Sequence, residues 1–523
     1  MTQASRGLQN PRVTKTRRTP AGGARTARTS IPGVVRIGIA ALLLALAGCS
    51  DQGTECGDPS LQGFCDQMLA WSACGESAPA GMECSSIVVP RDYADPSGET
   101  WTIALGRLPA TGGEPWLGTI VMNPGGPGNS GIRSLVTSGT LYDRLRTRYD
   151  IVSFDPRGIG ASRPAIDCLS PELATAIRNQ VSEPVTPAEQ ALADELAREQ
   201  AFGCQSALGD SLGLFGTRNV ARDMDVLRAV LGEARLDYLG VSYGTYLGAV
   251  YAELFPGRTD RVVLDSAMNP ANDYERLRHD QAVAFYAAIE RFAADCPAHP
   301  ECPLVADVPG AIAQLEGLIG SLDAQPYVAA DGRVLSGSRA LNIIESSMYA
   351  PEQGWPDLRS ALGPALAGDL QLLLEYAYGP RQRVNPADSP YLAVMCHDLQ
   401  LGRDPAVIPE LATAWKREAP LNGGNRAWSV LPCTEWPAMS AFPPAPIEAP
   451  ESGPILVLGV VGDPATPIDW ARALAASLAH GRLLEWQGPG HKAYGRGGPC
   501  VDSAVESFFF TGVLPPEGSV CPP

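Results

Sequence analysis

Residues 236–254 constrain the fold of this chain more than any other stretch. An apolar run from Leu236 to Val241 predicts a short buried strand, and Ser242 follows it directly. Apolar residues then recur at helical spacing, at Leu247, Val250, Tyr251 and Leu254. Gly240 and Gly244 lie two residues on either side of the serine and have no Cβ to hinder a close approach of strand and helix. The stretch therefore predicts a sharp strand–turn–helix unit that exposes a serine hydroxyl at the turn.

Such a unit is typical of the nucleophile elbow of α/β-hydrolases, in which the turn presents the serine Oγ above the sheet. The serine also lies at a helix N-terminus, where free N–H groups favour negative charge. The pattern Gly-x-Ser-x-Gly is weak on its own, because residues 209–213 match it too. No apolar strand precedes that second copy, and we interpret it as a loop. The alternative for Ser242 is a tight turn without chemistry.

The N-terminal region has the pattern of an export signal. Residues 1–36 carry eight basic residues and no acid, and the apolar run at 37–47 is too short to span a bilayer. The run ends in Leu-Ala-Gly-Cys at 46–49, which resembles a bacterial lipobox. We expect residues 1–49 to be a signal peptide, with cleavage before Cys49 and a lipid on its sulfur. The protein would then be anchored on the outer face of the membrane; ordinary secretion is the alternative.

The charge of the chain argues against several classes of partner. Its net charge is −17, and loss of the eight basic leader residues leaves 32 basic residues against 57 acids, or −25. Such a surface does not favour nucleic acid or an electrostatic attachment to anionic lipids. Any membrane attachment would therefore depend on the lipid at Cys49.

Cysteine and histidine usage favours disulfides over a metal site. Twelve of the thirteen cysteines remain after Cys49, which in an exported chain suggests up to six disulfides. Plausible local pairs are Cys296/Cys302, Cys396/Cys433 and Cys500/Cys521, with the other six cysteines left open. No cysteine pairs have zinc spacing and there are only five histidines, so we predict neither a metal site nor a cofactor.

A glycine-rich loop follows a second apolar strand at 118–122. It reads Asn-Pro-Gly-Gly-Pro-Gly at 123–128. Directly after a strand, such a loop can aim backbone N–H groups into a small concavity, as an oxyanion hole requires. We expect the oxyanion donors to be the N–H groups of Tyr243 and of Gly126 or its neighbour. A flexible turn is the alternative, and a phosphate loop is not predicted because no Gly-Lys-Ser/Thr follows.

Two late strands end in partners for the serine. The strand at 455–460 leads to Asp463, in a loop before a helix for which Thr466 fits the N-cap. The strand at 482–486 leads through a glycine-rich turn to His491. Nucleophile, acid and base then occur in the α/β-hydrolase order, each after a strand, which predicts that they share one edge of a parallel sheet. Asp265 and Asp469 are the alternatives for the acid.

Four motifs taken together resemble the secreted tripeptidyl aminopeptidases of actinobacteria, which group with the prolyl-aminopeptidase-like serine peptidases. They are Asn-Pro-Gly-Gly-Pro-Gly at 123–128, Gly-Val-Ser-Tyr-Gly at 240–244, Gly-Asp-Pro-Ala-Thr-Pro at 462–467 and Gly-Pro-Gly-His at 488–491. The resemblance implies an α/β-hydrolase core with a mainly parallel sheet and an inserted helical lid. It also implies release of short peptides from free N-termini through a Ser-His-Asp acyl-enzyme mechanism. A carboxylesterase or lipase on the same triad is the alternative, and a non-catalytic envelope binding lipoprotein is the third hypothesis.

The predicted organisation has four parts after the signal peptide. These are a Cys-rich leader at 50–84, the first part of the core at 85–269, the helical lid at 270–450 and the C-terminal part of the core at 451–523. An independent second domain is the alternative to the lid. An aminopeptidase must also recognise a free amine, for which a buried carboxylate is suited because an unmatched charge is costly to bury. We expect that carboxylate to be Glu345, Glu352 or Glu375.

Overall fold

The computed structural model describes residues 56–523, except 114, 380–388 and 403. The predicted signal peptide and Cys49 lie outside the described residues. Across the described part of the chain, no helix is both long enough and apolar enough to cross a bilayer.

A ten-stranded sheet forms the centre of the fold, in the order β1-β2-β3-β5-β4-β6-β7-β10-β11-β12. Its strands are β1 (Ser72–Ala73), β2 (Glu83–Pro90), β3 (Thr100–Leu108), β4 (Gly118–Asn123), β5 (Tyr149–Phe154), β6 (Leu236–Val241), β7 (Thr259–Asp265), β10 (Ile455–Gly462), β11 (Gly481–Pro489) and β12 (Ser519–Cys521). β1, β2, β3 and β5 pair antiparallel, and all pairs from β5 to β12 are parallel. The mainly parallel sheet expected from the sequence is confirmed.

Helices precede, interrupt and follow the strands. They are α1 (Gln62–Cys65), α2 (Gly131–Ser138), α3 (Pro171–Arg178), α4 (Pro187–Leu208), α5 (Thr217–Val230), α6 (Tyr243–Leu254), α7 (Tyr274–Asp295), α8 (Val308–Ala324), α9 (Gly337–Ser346), α10 (Pro351–Leu366), α11 (Gln371–Ala377), α12 (Ser389–Asp398), α13 (Ile408–Glu418), α14 (Gly423–Trp428), α15 (Leu431–Thr434), α16 (Ile468–Ser477) and α17 (Gly498–Thr511). The second Gly-x-Ser-x-Gly copy lies in a 3₁₀ turn, Gly209–Leu214, not at the end of a strand.

The central strands are buried on both faces, which explains their nearly continuous apolar sequences. All six residues of β4 and the first six of β10 are buried. Because β6, β10 and β11 run parallel, their carboxyl ends lie at one edge of the sheet, where α/β folds bind ligands. The residues that follow these three strands are therefore brought together by the topology.

Among the described residues, the regular structure between β7 and β10 consists of helices and one two-stranded hairpin, β8 (Tyr327–Val328) with β9 (Val334–Leu335). Its first half builds a hydrophobic cluster of its own from side chains of α7 to α11. Its second half, α12 to α15, contributes buried side chains to the same cluster as the central strands and α5 and α6. One half of the segment thus has a hydrophobic cluster of its own, whereas the other half is part of the main core.

Six disulfides join the cysteines of the described chain. The three predicted local pairs are confirmed, Cys296–Cys302, Cys396–Cys433 and Cys500–Cys521. The pairs that the sequence left open are Cys56–Cys65, Cys74–Cys84 and Cys168–Cys204. This number of disulfides is typical of proteins that fold in oxidising compartments, and the chain is an exported protein.

The carboxyl of Asp237 on β6 should make stability depend on pH. Burial raises the pKa of Asp237 to about 7, although the backbone N–H of Arg261 donates to it at 2.9 Å. A carboxyl with a raised folded pKa loses its stabilising contribution as the pH rises from about 3.9 to the folded value. We expect the stability of Asp237→Asn relative to wild type to rise by roughly 1–3 kcal/mol between pH 5 and pH 8.

Chemical denaturation at several pH values measures this difference. Asp260→Asn is the matched control, because Asp260 also pairs with Arg261, at 3.1 Å, but is 41% exposed. Because the charge of Asp260 adds only a minor part to the raised pKa of Asp237, this control should keep most of the wild-type pH dependence. A difference between Asp237→Asn and wild type that does not vary with pH would contradict the prediction.

Candidate active site

Ser242 occupies a strained backbone conformation between β6 and α6. Its φ of 58° and ψ of −124° lie in a region that residues with a Cβ rarely adopt. Hydrogen bonds hold the turn: the Ser242 N–H donates to the Asp265 carbonyl at 2.9 Å, and the Ser242 carbonyl accepts from the Thr245 N–H at 2.9 Å. The predicted strand–turn–helix unit is confirmed.

The flanking glycines are required by close packing around this turn. A Cβ on Gly240 would lie 2.3 Å from the Gly244 carbonyl oxygen, and a Cβ on Gly244 would lie 2.6 Å from the Asn123 carbonyl oxygen. Neither position has room for a larger residue. The two glycines therefore let β6, α6 and the end of β4 meet at the serine.

The loop at 123–128 lies against the serine turn. A Cβ on Gly125 would be 2.3 Å from the Val241 carbonyl oxygen and 3.0 Å from the Tyr243 nitrogen. Pro124 and Pro127 have no N–H, and the Gly125 N–H donates to Asn123 Oδ1 at 2.9 Å. Gly126 thus supplies the remaining N–H between 124 and 127, and the neighbouring Gly125 lies against the Tyr243 nitrogen at the start of α6. The assignment of the Gly126 and Tyr243 N–H groups as oxyanion donors stays a prediction.

Asp463 and His491 form a buried pair beyond the ends of β10 and β11. His491 Nδ1 lies 2.9 Å from Asp463 Oδ2 and 3.0 Å from Oδ1. Burial alone would raise the pKa of the Asp463 carboxyl, but the charge of His491 and hydrogen bonds from His491 and Thr466 bring that pKa below its ordinary value. The ionised carboxylate faces Nδ1, so Nε2 on the opposite side of the ring is left for the cavity that His491 and Ser242 both line.

Thr466 does not have the structural role that the sequence predicted. The helix α16 begins at Ile468, with Pro467 at its N-cap, so the assignment of Thr466 to the N-cap is wrong. Its N–H donates to Asp463 Oδ1 at 3.0 Å and its hydroxyl donates to Oδ2 at 2.8 Å. An aspartate three residues before a threonine is the local signal for such an Asx-type turn. Thr466 therefore orients the carboxylate rather than capping the helix.

The two alternative acids lie elsewhere. Asp265 is fully buried and accepts hydrogen bonds from the N–H groups of Ala493 at 2.8 Å and Tyr494 at 2.9 Å. It holds the loop that follows His491. Asp469 is exposed and pairs with Arg472 at 3.0 Å. Of the three carboxylates, the structure places Asp463 against the imidazole.

A cavity of 1550 Å³ opens above Ser242 and His491. Its walls come from the loop at 123–128 and from helices of the segment between β7 and β10, including α7, α9, α11 and α14. This volume exceeds the usual range for small-ligand pockets, about 300–1,000 Å³. The site can therefore accept a ligand of peptide size. The described residues contain no cluster of three or more His, Cys, Asp or Glu side chains suited to a metal ion.

Comparison with known proteins agrees with this geometry. Residues 419–521 match the profile of a family described as TAP-like protein. Serine protease Hip1 of Mycobacterium tuberculosis is 33% identical over 508 residues, which cover 92% of this chain and 96% of that protein. The chain belongs to the tripeptidyl-aminopeptidase-like (TAP-like) family of α/β-hydrolases. This TAP-like protein is accordingly an enzyme, a serine hydrolase.

Two further relatives cover most of the TAP-like chain. Tripeptidyl aminopeptidase of Streptomyces coelicolor is 31% identical over 470 residues, covering 87% of this chain and 86% of that protein. Carboxylesterase B of Mycobacterium tuberculosis is 32% identical over 478 residues, covering 87% of this chain and 90% of that protein. The family resemblance inferred from the four motifs is confirmed.

The three glutamates expected to bind a substrate amine are in different surroundings. Glu345 lines the cavity but is already paired with Arg426, at 2.6 Å. Glu352 pairs with Arg496 at 2.8 Å, with 51% of its side chain exposed, and is not among the described residues that line the cavity. Glu375 lines the cavity and is exposed, and its Oε1 accepts only from the neutral Gln371 amide, at 3.1 Å, among the described residues. Glu375 is thus the best placed of the three for a free amine.

Gly125→Ala should damage the oxyanion hole of the TAP-like enzyme. The new Cβ would clash with the Val241 carbonyl and the serine turn, and the φ of +83° is unfavourable for alanine. Loss of one oxyanion donor lowers kcat by about 100- to 1,000-fold in serine peptidases. We expect a fall in kcat of that order, measured with an ester or peptide substrate.

Gly257→Ala is the matched control for the backbone strain alone. Gly257 has a φ of +75°, and a Cβ added there would have no other atom within 4 Å. We expect this variant to lose a little stability and to keep its kcat. An equal fall in kcat in both variants would mean that strain, and not the position of the loop against Ser242, causes the loss.

Proposed function

We propose that this protein is a serine aminopeptidase that releases short peptides from free N-termini. Ser242 is the nucleophile, His491 the general base and Asp463 the residue that orients the imidazole. The buried Asp463–His491 pair on the same cavity as Ser242 is the observation that supports this most directly. The relative named as a tripeptidyl aminopeptidase supports a peptide substrate.

The mechanism follows from these groups. As the serine Oγ attacks the scissile carbonyl, His491 Nε2 accepts the hydroxyl proton and the Asp463 carboxylate stabilises the imidazolium. The carbonyl oxygen becomes an oxyanion, which the N–H groups of Tyr243 and Gly126 bind. His491 then protonates the leaving amine, and the C–N bond breaks to give an acyl-enzyme ester on Ser242. Water, deprotonated by His491, hydrolyses that ester and regenerates the hydroxyl.

The helices over the sheet edge support exopeptidase action. We propose that the segment 270–450 is a lid whose α9 and α11 limit the space beyond the serine, so that only a chain end enters. In this arrangement the free amine binds Glu375, since a positive charge in a cavity needs an opposite charge. We further propose that a lipid on Cys49 retains the enzyme at the cell envelope. Cys49→Ala should then move the protein from the membrane fraction to the medium.

Matched peptides test the activity. Free and N-acetylated forms of each peptide should differ strongly in kcat/KM, with the free form favoured, and mass spectrometry of the products gives the number of residues released. Cleavage of ester probes without cleavage of any free peptide would instead support a carboxylesterase, the function named for one relative. A fluorophosphonate that fails to label Ser242 in folded protein would contradict both enzymatic functions.

A further inference from the structure

Arg278 of α7 is a buried cation in the cavity wall. It is 3% exposed, and its Nε donates to Ser429 Oγ at 2.8 Å while its Nη1 donates to Gln281 Oε1 at 2.9 Å. Both acceptors are neutral, and among the described residues no carboxylate pairs with this guanidinium. Arginine stays charged in proteins, and a buried charge without an opposite charge is costly. The side chain is thus prepared for an anion that the described residues do not supply.

A second guanidinium lies beside it. Arg426 of α14 is 5% exposed and its Nη1 donates to the same Gln281 Oε1, at 3.2 Å. The Glu345 carboxylate already accepts from Arg426 Nη2 at 2.6 Å and Nε at 3.0 Å, and from Asn422 at 2.9 Å. Two positive charges therefore share one carboxylate. The cluster has a surplus positive charge inside a chain whose net charge is −17.

The cluster lies close to the reacting groups. Gln281 Nε2 donates to the carbonyl of Ala465, two residues after Asp463, at 2.9 Å. On the other side Arg426 stacks on Phe285 at 4.3 Å, Phe285 contacts Tyr349, and the Tyr349 ring meets the His491 ring at 5.3 Å. A group bound at Arg278 would belong to the same short peptide whose carbonyl is attacked at Ser242.

We propose that Arg278, with Arg426 beside it, is a subsite for a carboxylate of the peptide substrate. The carboxylate is either the C-terminus of a short peptide or an Asp or Glu side chain near the scissile bond. This inference rests on the proposed peptidase function and narrows its substrates to short or acidic peptides. It also requires the substrate amine to lie away from the cluster, because two guanidiniums repel an ammonium group.

Paired substrates test the proposal. One pair differs in a C-terminal acid or amide, and further pairs differ in Glu or Gln at each position. Wild type should favour the carboxylate form of at least one pair by about 10- to 100-fold in kcat/KM, the range for a charged hydrogen bond. Arg278→Gln should lose this preference, so that its kcat/KM values on the carboxylate and neutral forms of each pair agree within about threefold. The pair that shows the effect identifies the terminal or the side-chain carboxylate.

Arg276→Gln is the matched control. Arg276 is on the same helix but is largely exposed, where it pairs with Asp280 at 2.8 Å. This variant should keep the full preference, and Arg278→Lys should restore part of it. If Arg278→Gln lowered kcat/KM by the same factor on charged and neutral substrates, the proposal would be overturned and Arg278 would have a structural role.

A binding measurement on the wild type tests the proposal even if a variant fails to fold or the wild type has no peptidase activity. Reduced-amide peptides that cannot be cleaved, as acid and amide forms, should slow fluorophosphonate labelling of wild-type Ser242 to different extents. Stronger protection by the acid forms supports the subsite, and equal protection overturns it. Failure of wild type to hydrolyse any peptide contradicts the proposed function by itself, whatever the labelling shows about the carboxylate.

Discussion

Ser242→Ala should lower kcat by about a million-fold and leave a folded protein that still binds its substrate. In the proposed mechanism the serine hydroxyl is the group that attacks. Alanine retains a Cβ in the same strained turn, so the backbone at φ 58° should change little. His491→Ala should have a loss of similar size, because without the imidazole the hydroxyl proton has no acceptor. Steady-state kinetics measures both losses, and fluorophosphonate labelling should disappear in Ser242→Ala.

Ser211→Ala is the control for the serine substitution. Ser211 lies in the other Gly-x-Ser-x-Gly copy, within the 3₁₀ turn Gly209–Leu214. This variant should retain full activity and full labelling. Turnover that persists in Ser242→Ala, or that is lost in Ser211→Ala, would contradict the assignment of the nucleophile.

Asp463→Asn should lower kcat by about ten-thousand-fold, the size of effect that the same change has in a serine protease triad. An amide can still accept hydrogen bonds from Thr466 and Ala465, which now reach Oδ1 at 3.0 Å and 2.8 Å, so the loop should hold. The asparagine amide carries no charge to stabilise the imidazolium, and its NH₂ group favours the wrong tautomer of His491. Steady-state kinetics with folded protein measures the loss.

Stability measurements check the ionisation of the same residue. Because the pKa of Asp463 is lowered in the folded state, its contribution is present above the unfolded pKa of about 3.9 and is lost as the pH falls through the folded pKa. The stability difference between wild type and Asp463→Asn should therefore shrink as the pH falls below about 4 into stronger acid. Asp469→Asn is the control, because Asp469 is exposed and pairs with Arg472. It should change neither kcat nor the dependence of stability on pH.

Much of the catalytic geometry could be predicted because it depends on where strands end. β6, β10 and β11 are apolar runs recognisable in the sequence, and the residue types just after them, Ser242, Asp463 and His491, are few. A parallel sheet places such positions at one edge without further information. The role of Thr466 was missed because its helix begins at Ile468, two residues later, and helix starts are uncertain by that much in sequence.

The substrate side of the cavity could not be predicted in the same way. The sequence suggested Glu345 and Glu352 as amine ligands, but Arg426 and Arg496 already pair with them. In sequence these partners are separated by 81 and 144 residues. No short pattern indicates such pairings, because they depend on how whole helices pack.

The sequence by itself determined the strand–turn–helix at Ser242, the glycine loop beside it and the chain order of the proposed triad. These depend on backbone preferences and apolar periodicity, which act over a few neighbouring residues. Only the tertiary structure decided which charges are paired. Glu345 accepts from Arg426, whereas Arg278 is buried against the neutral Ser429 oxygen, 151 positions away, with no carboxylate partner among the described residues. The physical reason is that the cost of a buried charge depends on every group around it, and packing alone brings those groups together.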